Sequence, residues 1–137
     1  MTLFKSLFKT GQSLYVLPDD GLRVVCEQHG AMHEVWLCGR IDIESAPDLG
    51  KLLLNRLGLP ACRTLIVNSE GVIYIDVAGI ATLLEALKAA RLRGKQLVLK
   101  GLQEKPRYLF EVTRLLHLFD GNVDIAAGTN PVSTRTP

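Results

Sequence analysis

The junction Gly71-Val72-Ile73-Tyr74-Ile75-Asp76-Val77-Ala78-Gly79-Ile80 constrains this chain more than any other stretch. An apolar run stops at a carboxylate, and three residues later Gly79 opens a helical pattern. In a helix over residues 79–93, Ile80, Leu83, Leu84, Leu87 and Ala90 share one face, with Glu85, Lys88 and Arg93 mostly on the others. Residues 76–79 therefore cap a helix N-terminus, where backbone N–H groups lack partners and the helix dipole is positive. Such a place suits an anion, an added phosphate or a partner's acidic side chain.

Similar junctions recur along the chain. Leu22–Glu27 and His33–Ile41 read as strands joined by a hairpin-like Gln28-His29-Gly30-Ala31, with Val35, Leu37, Gly39 and Ile41 on one face and Glu34, Trp36 and Cys38 on the other. Ser45-Ala46-Pro47-Asp48 starts a helix over 45–57, with Ser45 as cap and Asp48 at the N3 position of a capping box. Leu49, Leu52, Leu53 and Leu57 form its apolar stripe, and Gly58-Leu59-Pro60 ends it. Thr64–Val67 and Leu97–Leu99 read as short buried strands. A last helix opens at Pro106, runs to Phe119 and ends at Gly121, with a final strand at Val123–Ile125. Strands alternating with helices from residue 35 onward imply an α/β domain. Its sheet is expected to have four to five strands, mostly parallel, with three or four helices and an antiparallel first strand at one edge.

The expected organisation is an N-terminal amphipathic extension over 1–14, a domain over 15–127 and a flexible tail over 128–137. Leu3-Phe4-Lys5 recurs as Leu7-Phe8-Lys9. In a helix Leu3, Phe4, Leu7 and Phe8 share a face that suits a membrane surface or a partner, so residues 1–9 are the candidate for peripheral membrane contact. The alternative is a terminal turn that covers its own domain or frays. With 137 residues and a hydrophobic share of 47%, one domain can build a real core. A net charge of +2, with Lys and Arg spread along the chain, makes no case for nucleic acid.

Cys26, Cys38 and Cys62 form no CxxC, and His29, His33 and His117 make no ligand spacing with them. No metal or cofactor is expected, and Cys26 and Cys38 read as plain buried thiols. No run of 18 apolar residues occurs and no long apolar h-region opens the chain, so the expected location is the cytoplasm. No nucleophile–base–orienter set can be assembled, so no enzyme activity is expected.

The segment Ile75-Asp76-Val77-Ala78-Gly79-Ile80 resembles the signature of STAS domains, the anti-sigma factor antagonist family whose members also form the tails of sulphate transporters. The family pattern is an apolar pair, Asp, Ser, Ser or Thr, Gly, then an apolar residue opening a helix. Asp76, Gly79 and the flanking residues match, while Val77 and Ala78 occupy the two hydroxyl positions. Gly39-Arg40-Ile41-Asp42 resembles the family's Gly-x-apolar-Asp, and Arg93-Gly94-Lys95-Gln96-Leu97-Val98-Leu99 its helix end, glycine turn and strand. Asn68 stands where many family members carry an aspartate. The similarity spans roughly residues 22–126.

The resemblance implies that Ala78 replaces the serine that a partner kinase phosphorylates, with Asp42 beside the site. Without that hydroxyl, phosphorylation cannot switch binding off at residue 78. Thr82 and Ser69 are the lower-ranked alternative phosphosites. The expected function is a non-catalytic interaction module binding a kinase-type anti-sigma regulator through Asp42, Asp76, Val77, Ala78, Gly79 and Thr82. The alternative is the STAS subunit of a lipid-transporting ABC complex, docked on the ATPase subunit, which Leu102-Gln103-Glu104-Lys105-Pro106-Arg107-Tyr108-Leu109 somewhat resembles. Against it, that subunit usually keeps a threonine at the position of Val77. Nucleotide binding at the 76–79 helix end ranks last, because no phosphate-cradling glycine loop is present.

Overall fold

Two residues suffice to turn the first long hairpin, because Gly30 adopts a left-handed φ of +63° that its lack of a β-carbon permits. The computed structural model describes residues 2–4, 12–16, 21–119 and 123–125. Its strands are β1 (Thr2–Phe4), β2 (Gln12–Val16), β3 (Leu22–His29), β4 (Met32–Ile41), β5 (Thr64–Ile75), β6 (Gln96–Leu102) and β7 (Val123–Ile125). Helices α1 (Ala46–Gly58), α2 (Val77–Leu92) and α3 (Glu104–Val112) follow β4, β5 and β6 in turn, and a short 3-10 helix covers Leu116–Phe119.

The sheet order is the chain order. Its four central strands are mixed: β3 pairs antiparallel with β4, then β4, β5 and β6 pair in parallel. β1 and β2 extend this sheet by antiparallel pairing and β7 by parallel pairing, to seven strands among the described residues. The expected single α/β domain is the one the chain adopts. Each parallel step needs a crossover, and α1 and α2 supply the first two.

One apolar layer lies between sheet and helices. Alternate residues Leu22, Val24 and Cys26 of β3, Val35, Leu37 and Ile41 of β4, and Leu97 and Leu99 of β6 point into it. Leu49, Leu52, Leu53 and Leu57 of α1 and Ile80, Leu83, Leu87 and Ala90 of α2 close it from the other side. Each leucine buried this way stabilises the fold by about 1.5–3 kcal/mol before the entropy of ordering is counted. Phe110 and Phe119 meet edge to face, with ring centroids 5.9 Å apart.

Several local expectations need correction. Thr2–Phe4 is a strand, not part of an amphipathic helix, while residues 5–11 and the 128–137 tail lie outside the described residues. Ser45 occupies the cap position of α1 but makes no side-chain cap, because its hydroxyl is committed elsewhere. The last helix starts at Glu104, two residues before Pro106, and stops at Val112. Arg114 takes a φ of +60° and Leu115 N–H donates to the Phe110 carbonyl at 3.0 Å, a left-handed helix stop made without glycine. Phe119 is buried as expected, but it arrives on the 3-10 turn. Cys38 is exposed on the sheet face opposite the core, whereas Cys26 and Cys62 are buried.

Candidate functional site

β4 and β5 end in register, Ile41 against Ile75, and the N–H of Asp76 donates to the Ile41 carbonyl at 3.1 Å. Asp42 and Asp76 are the next residues on each chain, so the fold sets both carboxylates at the same edge of the sheet, one strand apart. This is the C-terminal edge of parallel strands, where α/β sheets present their loops to partners and ligands.

Asp76 is the cap of α2. Its Oδ1 accepts the N–H of Gly79 at 3.0 Å, and its carbonyl accepts the N–H of Ile80 at 3.0 Å. The helix thus begins at Val77, two residues earlier than the sequence pattern suggests. Gly79 is needed for packing. A β-carbon there would stand 2.6 Å from Ile75 Cγ1 and 2.8 Å from both Ile41 Cγ2 and the Ile41 carbonyl oxygen. The glycine lets the first turn of α2 settle onto the ends of β4 and β5.

Asp42 holds the loop into α1. Its Oδ1 accepts the N–H groups of Glu44 at 3.0 Å and Ser45 at 3.2 Å. The Ser45 hydroxyl accepts the N–H of Asp42 and donates to the Arg40 carbonyl, each at 3.0 Å, which is why it cannot cap α1. Arg40 places Nε 3.6 Å from Asp42 Oδ2 and lays its guanidinium 4.1 Å above the centre of the Tyr74 ring. Desolvation raises the Asp42 pKa, but the two backbone N–H groups, the Arg40 charge and the Ser45 hydroxyl together outweigh it. They hold the carboxyl below its ordinary value.

Around these carboxylates exposed apolar side chains stand beside the exposed Arg40 and Glu44. Val77 is 68% exposed and Ile43 72%, and Ile73 and Tyr74 are exposed beside them in sequence. Ile73 owes its position to β5. Gly39 pairs with Val72 and Arg40 with Tyr74, so β5 spends one extra residue there. The bulge leaves Val72 and Ile75 buried and turns Ile73 and Tyr74 outward.

The expected site residues do not all behave alike. Asp42, Asp76, Val77 and Ala78 gather at the strand ends, Ala78 half-buried and Gly79 buried beneath. Thr82 does not face open solvent. It is half-buried against α1, its hydroxyl donating to the Ala46 carbonyl at 3.4 Å. Ser69 is buried within β5. Arg40, Ile43, Ile73 and Tyr74 were not among the expected site residues. Arg40 stood inside the Gly-x-apolar-Asp match, but the bulge that exposes Ile73 and Tyr74 leaves no mark in a run of four apolar residues. Among the described residues no cluster of His, Cys, Asp or Glu can hold a metal ion.

Known proteins resemble this chain in sequence and in fold. Residues 25–120 match the family model described as the Mlab STAS domain. The chain is 31% identical over 90 residues to the anti-sigma-B factor antagonist of Staphylococcus aureus (strain NCTC 8325 / PS 47), covering 66% of this chain and 82% of that one. An anti-sigma factor antagonist from Mycobacterium paratuberculosis superposes with a TM-score of 0.65 at 17% identity, over 86% of this chain and 96% of the other. The Bacillus cell-fate determinant SpoIIAA in its phosphorylated form gives 0.60 at 15% identity, over 81% and 97%. At these identities the two structures speak for the fold alone.

Proposed function

The chain belongs to the STAS domain family, and from that premise we propose that it is a non-catalytic cytoplasmic interaction module of the anti-sigma factor antagonist kind. It binds a kinase-type anti-sigma regulator with the end of the sheet that carries Asp42, Asp76, Val77, Ala78 and Gly79 and with the helix that follows. The observation that carries this reading is the chemistry of that end. Both carboxylates are engaged in holding a loop and a helix start, and what faces outward around them is Ile43, Ile73, Tyr74 and Val77. An end built this way offers contact area with charged edges and no reacting group.

Ala78 stands, in this reading, where the family carries its phosphorylated serine. Alanine offers no acceptor oxygen, and of the two alternative phosphosites Thr82 is half-buried and Ser69 buried. The module is therefore always competent to bind. Incubation with ATP and the cognate kinase, read by intact mass, is expected to leave the protein unmodified and to add one phosphate to the Ala78→Ser variant. A stoichiometric phosphate on the parent chain would overturn the reading.

A second reading has one observation in its favour: the matching family model is described by the name Mlab. It makes the chain the STAS subunit of a lipid-transporting ABC complex, bound to the ATPase subunit through the same end. Affinity capture from the native cell separates the two, an ATPase with its permease in one case and an anti-sigma factor in the other.

A further inference from the structure

The opposite end of the sheet has a different chemistry. Three segments meet there: residues 28–33, 54–63 and 91–96. Backbone bonds tie them together, Arg63 N–H to the Ala31 carbonyl at 2.8 Å and Gln96 N–H to the Arg63 carbonyl at 3.1 Å. They contribute Arg56, Arg63, Arg91, Arg93 and Lys95, and no Asp or Glu. Glu27, just before the first segment, is already engaged with Trp36 Nε1 and His29.

Every described polar partner of these cations is neutral. Lys95 Nζ donates to the carbonyls of Leu57 and Leu59, Arg91 to the Leu118 carbonyl at 2.7 Å, and Arg56 lies 3.4 Å from His33 Nδ1. Arg93 reaches across to α1, its Nη1 3.1 Å from where a β-carbon on Gly58 would stand. Cations from two of the segments thus converge beside His33 of the third, and among the described residues no carboxylate pairs with them. Beside them stand exposed aliphatic side chains: Met32 at 46%, Leu59 at 42% and Leu92 at 88%.

We propose that this end of the molecule docks on the surface of an anionic phospholipid bilayer, with Arg63 and Arg93 against the headgroups and Leu92 and Leu59 entering the interface. Basic residues attract the negative surface and aliphatic ones gain by leaving water, and the two together distinguish a membrane from other polyanions. Single-stranded nucleic acid calls for aromatic stacking platforms, and the three segments hold no Phe, Tyr or Trp. The docked orientation leaves the Asp42–Asp76 end pointing away from the bilayer and open to a partner. The inference does not depend on the identity of that partner.

Co-sedimentation of the full chain with phosphatidylcholine vesicles, with and without phosphatidylglycerol, tests this. Binding is expected only with the anionic lipid, and to fall as salt rises. Arg93→Glu is expected to weaken it by about tenfold or more, as reversing one surface charge should. Lys105→Glu makes the same change in net charge in the first turn of α3 and is expected to have a much smaller effect. Leu92→Asp is expected to weaken binding without altering the melting temperature, since Leu92 packs on little. Equal affinity for neutral vesicles, equal losses in Arg93→Glu and Lys105→Glu, or tighter binding to a single-stranded oligonucleotide than to the anionic vesicles would each overturn the proposal.

Discussion

Asp76 and Gly79 each serve the fold before they serve any partner. Removing the Asp76 carboxylate frees the N–H of Gly79 at the start of a buried helix, so Asp76→Ala is expected to cost about 1 kcal/mol of stability. Gly79→Ala forces a β-carbon against Ile41 and Ile75, and overpacking of this kind costs about 1–3 kcal/mol. Urea unfolding of both variants checks the two values, and a neutral Gly79→Ala would mean that α2 can lift away from the strand ends. The three thiols also separate at this scale. Burial pushes the Cys26 thiol up to about 11, against the lowering effect of Arg56, and burial likewise raises Cys62. Cys38 alone is exposed. A maleimide is therefore expected to modify one thiol per native chain and three after denaturation, with mass mapping placing the first at Cys38. Sequence pattern put Cys38 in an apolar strand, and it does lie in one. What the pattern cannot say is that β4 buries only one of its faces under the helices.

Among the elements, β4, α1, β5 and α2 were legible because each carries its own signal. The Leu49–Leu52–Leu53–Leu57 stripe, the breaker Gly58-Leu59-Pro60 and the carboxylate at each strand end do not depend on distant contacts. Other elements answer to partners far along the chain. β5 is twelve residues long, and its two irregularities exist only against β4, where Trp36 and Cys38 face Asn68 and Gly71. Thr2–Phe4 has a helical repeat of leucine and phenylalanine, yet pairing with β2 gives it a strand. α3 stops at Val112 because Phe110 and Phe119 must both reach the core, and a straight helix would not bring them edge to edge. The bulge at Ile73 makes a prediction. Deleting Ile73 restores even pairing with β4, keeps Tyr74 opposite Arg40 and removes one exposed aliphatic side chain from the site. Partner binding should then fall by more than stability does, as measured by titration and thermal unfolding together, and unchanged binding would take Ile73 out of the contact surface.

At the scale of the molecule, a net charge of +2 conceals a division. Asp42, Glu44 and Asp76 sit at one end of the sheet with Arg40, while Arg56, Arg63, Arg91, Arg93 and Lys95 gather at the other. Cations scattered along the sequence are collected by the fold, so a net charge of +2, which makes no case for nucleic acid, does not show this clustering. His33 lies within the basic end, fully buried, with Nε2 lacking a partner among the described residues. Burial first, then the charges of Arg56 and Lys95, lower its pKa from 6.5. A His held neutral in the fold binds its proton more readily when unfolded. Its contribution to stability is therefore complete above pH 6.5 and is lost as pH falls from there through the folded-state value. His33→Gln is expected to flatten that acid limb in melting curves taken across mildly acidic pH, and an unchanged limb would assign it to other groups.

If the partner is held by the end of the sheet around residue 78, where the parent chain carries no charge switch, a charge placed there must weaken binding. Ala78→Asp tests it most directly. A carboxylate at that position joins Asp42 and Asp76 within a contact surface, and like-charge crowding at an interface costs several kcal/mol. The parent and the variant are to be titrated against the captured anti-sigma partner, with thermal unfolding in parallel. Ala78→Asp is expected to bind about a hundredfold more weakly, equivalent to ~3 kcal/mol, while melting near the parent temperature. A folded Ala78→Asp that binds as tightly as the parent would place the interface elsewhere on the molecule and contradict the claim.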